Sequence, residues 1–417
     1  MKQSHNTGSP IVLRLKHQPF HKFIIIWILL INLFATQPVH ETPLSQASVA
    51  TPQPSVSPAA PPSPTPGPTP TPTPTTTKKI SAQPGSKAKN NIGIAVGLAD
   101  LSTADLNRSL DDIKNIGVTW VRFDVDWSNI EADGPGKYNW AAYDRVAQGI
   151  TSRGLYPLAI IDYTPEWARQ SGCTASSKCA PANPDAFAQF AGLATTRYAK
   201  MGVHHWEVWN EPNVNDYFQP SPNAALYTTI LKGAYTAIKR ADPGATVLTA
   251  GTAPAASDDV NINARDFLTA IYANGGKGYF DAVAHHPYTY PYTVNNAYPG
   301  GAWSDLEALH TIMVRHGDGA KLIWATEYGA PTGGPGELIS GGNGPFTDSV
   351  YVSEALQSAM VTTALARYRT YAWTGPLFWY TYQDASNDPS TIENFFGLIR
   401  ANGSRKPAYA ALKAAIK

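Results

Sequence analysis

The chain has 417 residues, of which 15% are charged, 43% hydrophobic and 11% aromatic; this suits a packed globular protein and excludes a coiled coil or a wholly disordered chain. Its formal charge of +1 is unevenly spread: residues 1–90 hold eight Lys or Arg and one acidic residue, Glu41, leaving 24 basic against 30 acidic residues over 91–417. A body with excess acid lacks the basic footprint of a DNA- or RNA-binding protein, so no nucleic-acid partner is expected.

Residues 1–36 read as an export segment, with Lys2, Arg14, Lys16 and Lys22 ahead of an apolar run from Phe23 to Ala35 that only Asn32 interrupts. As a helix that run extends about 20 Å, short of the ~30 Å hydrocarbon core, which favours a cleaved signal peptide over a signal anchor. Either form places the rest of the chain outside the cytoplasm, extracellular or at the cell surface, with an N-terminal membrane tether if the segment is retained. Residues 37–90 form a Pro/Thr/Ser-rich linker; 11 of the chain's 35 prolines fall between Thr51 and Thr77. Such a stretch is an extended polyproline spacer that buries nothing.

From residue 91 onward, β-branched and aromatic runs alternate with helical patterns. The spacing predicts strands over 92–97, 119–124, 156–162, 204–210, 246–251, 281–286, 322–327 and 376–382. Helices are expected between them and over 407–416. This is the pattern of a single (β/α)8 TIM barrel over 91–417. The rival, an open doubly wound sheet, would bring a glycine fingerprint after its first strand, and residues 92–97 lack the GxGxxG spacing. The Gly-rich stretch 329–344 has no GK[ST] sequence and reads as a mobile surface loop.

In such a barrel the reactive groups gather at the C-terminal strand ends. The fourth strand runs into WEVWNEPN (206–213) and the seventh into IWATEYG (323–329), which puts Glu211 and Glu327 at the mouth on opposite sides of the wall. Facing carboxyls are what glycosidic cleavage needs, one to protonate the leaving oxygen and one to act as nucleophile or base. Pro212 ends the fourth ladder, which would let Asn210 and Glu211 both turn toward the pocket. Glu207 lies about 13 Å back along the strand and reads as a barrel-interior charge.

The two motifs together are similar to the acid/base and nucleophile motifs of clan A glycoside hydrolases, most like family 39 and the related family 5, and the resemblance spans residues 91–417. It implies that Glu211 is the general acid/base and Glu327 the nucleophile of a retaining hydrolase acting on a β-linked oligo- or polysaccharide, without metal or organic cofactor. Asn210 resembles the asparagine that binds the sugar 2-hydroxyl. Arg122 resembles the buried arginine that hydrogen-bonds the nucleophile, a structural salt bridge being its alternative. His286 and Tyr288 resemble the pair that flanks the nucleophile, and Trp379 the platform beneath the sugar. Clan relatives of xylosidase, arabinofuranosidase or uronidase type, or a non-catalytic glycan-binding barrel, are the alternatives.

Trp127, Trp167 and Trp303 fall in βα loops, where they would serve as further sugar subsites or as core packing; Trp167 is the one taken as substrate-binding. The adjacent His285 and His286 point to opposite strand faces, which argues against a shared metal. Asp124, Asp162 and Asp384 sit at strand ends, to bind sugar or restrain loops. Cys173 and Cys179, the only cysteines, are expected to form a disulfide in an exported chain.

Overall fold

The second barrel strand shows how this chain sorts its side chains. Trp120, Arg122, Asp124 and Asp126 take one face of that strand, and Val121, Phe123 and Val125, all buried, take the other. Strand alternation thus lines the barrel interior with an aromatic floor and a charged ceiling while an apolar face meets the helices. The computed structural model describes residues 91–173, 176–296, 301–341 and 349–417, and the export segment and linker expected over 1–90 lie outside the described residues.

The barrel strands are β1 (Ile92–Ala95), β2 (Trp120–Asp126), β3 (Tyr156–Asp162), β4 (His205–Val208), β5 (Thr246–Leu248), β6 (Val283–His285), β7 (Ile323–Tyr328) and, after a short ribbon of β8 (Glu337–Ile339) and β9 (Val350–Val352), β10 (Thr374–Tyr380). They pair in parallel in the order β5-β4-β3-β2-β1-β10-β7-β6. Parallel bridges Leu248↔Ala282 and Thr252↔His285 join the two edges, so the sheet closes on itself as a (β/α)8 barrel.

Around it lie α1 (Thr103–Ile116), α2 (Trp127–Ile130), α3 (Ala141–Ser152), α4 (Pro184–Tyr198), α5 (Ala224–Ala241), α6 (Ala264–Ala273), α7 (Ala302–Arg315), α8 (Glu354–Tyr368) and α9 (Pro407–Ile416). The first of these shows the local logic. Ser102 caps its N-terminus by accepting from Asp105 N, Leu106, Leu110 and Ile113 bury one stripe, and Gly117 ends it in the left-handed region.

The floor of the barrel is an apolar plug of Trp120, Leu158, Leu248, Trp324 and Phe378. Trp120 meets Trp324 edge-on at 5.1 Å and Phe378 at 6.4 Å. Gly93 makes room for it, since a Cβ there would stand 2.4 Å from the Phe378 ring. The stretch expected to be a surface loop over 329–344 holds one half of the β8–β9 ribbon. Its two strands meet closely because Gly336, at φ 91°, leaves no side chain against the Ser349 carbonyl.

Candidate active site

Two backbone irregularities bring the glutamates inward. On β4, strict alternation would send Asn210 and Glu211 to opposite faces. Trp209 and Glu211 both adopt left-handed backbone angles, φ 73° and 47°, rare for residues with side chains. Glu211 N is nonetheless held, donating to Gly251 O at 3.0 Å. The turn of Asn210 and Glu211 into the pocket therefore rests on these two residues and not on Pro212 alone. On β7, the register against β10 shifts between Leu377↔Ala325 and Trp379↔Tyr328, so β7 carries one extra residue. The bulge lets Thr326 and Glu327 both face the interior.

Arg122, 5% exposed, ties these ends together. Its Nη1 donates to Glu327 Oε1 at 2.6 Å, its Nε to Glu207 Oε2 at 2.7 Å and its Nη2 to Asn210 Oδ1 at 2.9 Å. Tyr288 donates its hydroxyl to Glu327 Oε2 at 2.7 Å. Glu207 is the buried counter-charge beneath, accepting also from Gly251 N at 2.8 Å and from Thr326 Oγ1 at 3.1 Å. Gly251 must be glycine, because a Cβ there would lie 2.1 Å from His286 Nε2.

His286 is fully buried and reaches Glu211 Oε1 through Nδ1 at 2.7 Å, with Nε2 3.1 Å from Thr326 Oγ1. Thr326 spends its only proton on Glu207, so it accepts from His286 Nε2–H. One mobile proton then remains on the line between His286 Nδ1 and Glu211. His285 points the other way, to Thr252 Oγ1 at 2.8 Å and Ala302 O at 2.9 Å. Donor atoms of Glu211, His286 and Glu327 lie within 4.8 Å of one another. As a metal site this set fits poorly, since Arg122 already neutralises Glu327 and the histidine nitrogens are both engaged.

The two carboxyls are tuned in opposite directions. Burial raises the pKa of Glu211, and the opposing pull of His286 does not cancel it. Burial also acts to raise Glu327, but His286, Arg122 and the Tyr288 hydroxyl outweigh it and hold its carboxyl below the usual range. Burial opposes charge on His286, yet Glu327 and Glu211 together raise its pKa.

Above these groups opens a cavity of about 920 Å³ whose lining includes Arg122, Asp124, Asp126, Lys178, Glu211, Tyr217 and Glu327. Of the expected residues, Asn210, Glu211, Arg122, Tyr288 and Glu327 line it, with His286 directly behind. Trp379 does not reach it. It is 1% exposed and packs against Tyr328 on the helix side, and Tyr380, in phase with the interior Phe378, takes the cavity wall. Nor does Trp167 line it: 38% exposed, it donates Nε1 to Glu131 O at 2.8 Å and meets Trp127 edge-on. Trp127 and Trp303 are buried in the core. The aromatic wall is made instead of Tyr163, Tyr217, Tyr288, Tyr290, Tyr380 and Phe396.

Asp124 lines the cavity, and burial pushes its pKa up to about 6. Asp162 is fully buried below, raised by burial and then by Asp124, with no hydrogen-bond partner for its oxygens among the described residues. Asp384 restrains loops, accepting from Gly397 N at 2.8 Å and from the buried Lys406 Nζ at 2.7 Å. Cys173 and Cys179 are joined in a disulfide with Cα atoms 5.8 Å apart.

Among known proteins, the family model described as glycosyl hydrolase family 14 matches residues 97–184, a stretch that ends before both glutamates. Two curated relatives match in part. A wheat (Triticum aestivum) β-amylase, Tri a 17, is 27% identical over 114 residues, covering 24% of this chain and 21% of its own. A rice (Oryza sativa subsp. japonica) β-glucosidase 1 is 29% identical over 140 residues, covering 31% and 25%. The chain thus matches about a quarter or less of the length of these relatives.

Solved structures match more widely. A family 39 glycoside hydrolase from the gut symbiont Bacteroides cellulosilyticus WH2 superposes with TM-score 0.61 at 22% identity, over 79% of this chain and 64% of that one. A monomeric β-xylosidase from Caulobacter crescentus CB15 gives TM-score 0.56 at 20% identity, over 78% and 67%. The chain shares its barrel fold with these enzymes.

Proposed function

We propose that the protein is a glycoside hydrolase that cleaves β-linked oligo- or polysaccharides with retention of anomeric configuration. The observation that carries this reading is the opposed tuning of Glu211 and Glu327, whose oxygens approach within 4.8 Å at the ends of β4 and β7. Carboxyls held this near belong with the ~5–5.5 Å spacing of retaining enzymes, and one pushed toward the protonated form beside one pushed toward the ionised form is the division of labour they require.

In the proposed cycle Glu327 attacks the anomeric carbon. The glycosidic C–O bond breaks, and Glu211 gives its proton to the departing oxygen. The Asn210 amide nitrogen, left free by Arg122's hold on Oδ1, donates to the sugar 2-hydroxyl. Water then attacks the covalent ester from the vacated face, passing a proton to Glu211 and releasing Glu327 as carboxylate. Tyr380 serves as the apolar platform beneath the ring in place of Trp379. His286 and Arg122 act as positioning residues through the carboxyls they contact.

The setting we infer is outside the cytoplasm, behind the 1–36 export segment and 37–90 linker. The Cys173–Cys179 bond supports it, since disulfides persist in oxidising compartments. The test of function is a panel of aryl β-glycosides with soluble and insoluble glucans, xylans and mannans. Turnover of at least one that vanishes in Glu327→Ala is expected. Binding of glycan without turnover of any substrate would replace the hydrolase with a non-catalytic glycan-binding barrel.

A further inference from the structure

The cavity wall carries two cations among the described residues, Arg122 and Lys178. The first is fully engaged by Glu207, Asn210 and Glu327. Lys178 is placed differently. Its ammonium stands 4.0 Å from the centroid of the Tyr217 ring and 5.9 Å from that of Tyr163, and it forms no salt bridge among the described residues. Two aromatic faces hold the charge without neutralising it or using up its N–H donors.

The backbone beneath Lys178 is fixed from several sides. The disulfide closes at the next residue, Cys179. Lys178 N donates to Ser176 Oγ at 3.1 Å, Gln219 N donates to Lys178 O at 3.0 Å, and Thr164 N donates to Ser177 O at 2.8 Å. Thr164 follows Tyr163, and Gln219 follows the Tyr217 turn. The covalent loop therefore ties the lysine to the end of β3 and to the loop after β4, which present its two aromatic partners.

Position along the substrate follows from the proposed roles of the carboxyls, on which this inference rests. The leaving group departs on the side of Glu211. Tyr217 belongs to that side: it lies in the loop after Glu211, and Trp209 Nε1 donates to its carbonyl at 2.9 Å.

We propose that Lys178 is the specificity-determining donor for a sugar in the leaving-group position, and that the Cys173–Cys179 disulfide holds it there. An ammonium offers N–H donors and no acceptor, so it suits the hydroxyl oxygens of a sugar and gains nothing from a bare aromatic leaving group. Exposed to the cavity yet pinned on Tyr217, it loses little freedom on binding.

The experiment uses a matched pair, the nitrophenyl β-glycoside turned over fastest and the β-linked disaccharide of the same glycone. In Lys178→Met, KM for the disaccharide should rise roughly tenfold or more, the loss expected for a charge-assisted hydrogen bond. Turnover of the nitrophenyl glycoside should stay within about twofold, and Lys178→Arg should restore most of the disaccharide affinity. The Cys173→Ser/Cys179→Ser double variant should shift the disaccharide KM in the same direction, by less. Equal losses on both substrates, no loss on either, or a wild-type enzyme that cleaves only the nitrophenyl glycoside would overturn the proposal. A wild-type protein that turns over neither an aryl glycoside nor any glycan of the panel would instead overturn the hydrolase reading beneath it.

Discussion

Glu211 and Glu327 are the same residue type at equivalent ends of opposite strands, yet the barrel treats them differently. Glu327 arrives through a β-bulge and is gripped by a fixed cation and a phenol, Arg122 and Tyr288. Glu211 arrives through left-handed backbone, and among the described residues its carboxyl hydrogen-bonds to His286 alone, across a 2.7 Å contact that holds a mobile proton. A permanent charge can only favour ionisation, whereas a titratable partner can take a proton or return it. The difference between a nucleophile and a general acid is thus written in the neighbours, not in the carboxyls.

The largest expected effect comes from removing the gripped carboxyl. Glu327→Ala should lower turnover on the order of 10⁵-fold, as loss of a covalent nucleophile does. Azide or formate should partly restore it, giving an adduct of inverted configuration, which mass spectrometry and NMR would identify. Near wild-type activity would remove Glu327 from the chemistry.

Glu211→Ala should divide substrates by leaving group. Unactivated glycosides should lose roughly 10²–10⁴-fold, the usual worth of general acid catalysis, and activated aryl glycosides far less in the step that forms the intermediate. Uniform loss across a leaving-group series would contradict the acid role.

Arg122→Met tests the grip itself. It strips the buried Glu207 and Glu327 of their cation, so unfolding in denaturant should show a loss of about 3–5 kcal/mol, the cost of breaking a buried pair. Arg122 lowers the Glu327 pKa, so in protein that still folds the acid limb of kcat/KM against pH should move to higher pH. An unmoved limb would mean that Arg122 is structural only.

The smallest effect is expected from His286→Gln. His286 holds down the pKa of Glu211 against burial and also that of Glu327, so its loss should raise both and carry both limbs of the profile upward. A downward shift would reverse the sign assigned to the histidine.

Much of this was legible in the sequence because barrel strands obey strong rules. The third strand, 156–162, falls as expected, and both glutamates stand out because strand ends are where such a fold keeps its reactive groups. Arg122 is readable for the same reason, in phase with Trp120 below and Asp124 above. What escaped are departures from periodicity and contacts made across loops. Nothing in the residue types of 209–211 announces left-handed backbone, and the β7 bulge depends on pairing with β10. The resemblance points to Trp379 as the platform, although the interior Phe378 marks Tyr380 as the inward residue. Lys178 and Tyr217 meet only through the disulfide loop, which no local pattern reveals.

The central claim is that two unlike carboxyls, close together, act in sequence on one anomeric carbon. The most direct measurement is proton NMR of the first product released from a β-glycoside, recorded before mutarotation. Two successive displacements invert twice, so the account predicts a β-anomer. An α-anomer would mean direct attack by water, which needs the carboxyls ~6.5–9.5 Å apart, and would contradict the roles assigned to Glu211 and Glu327.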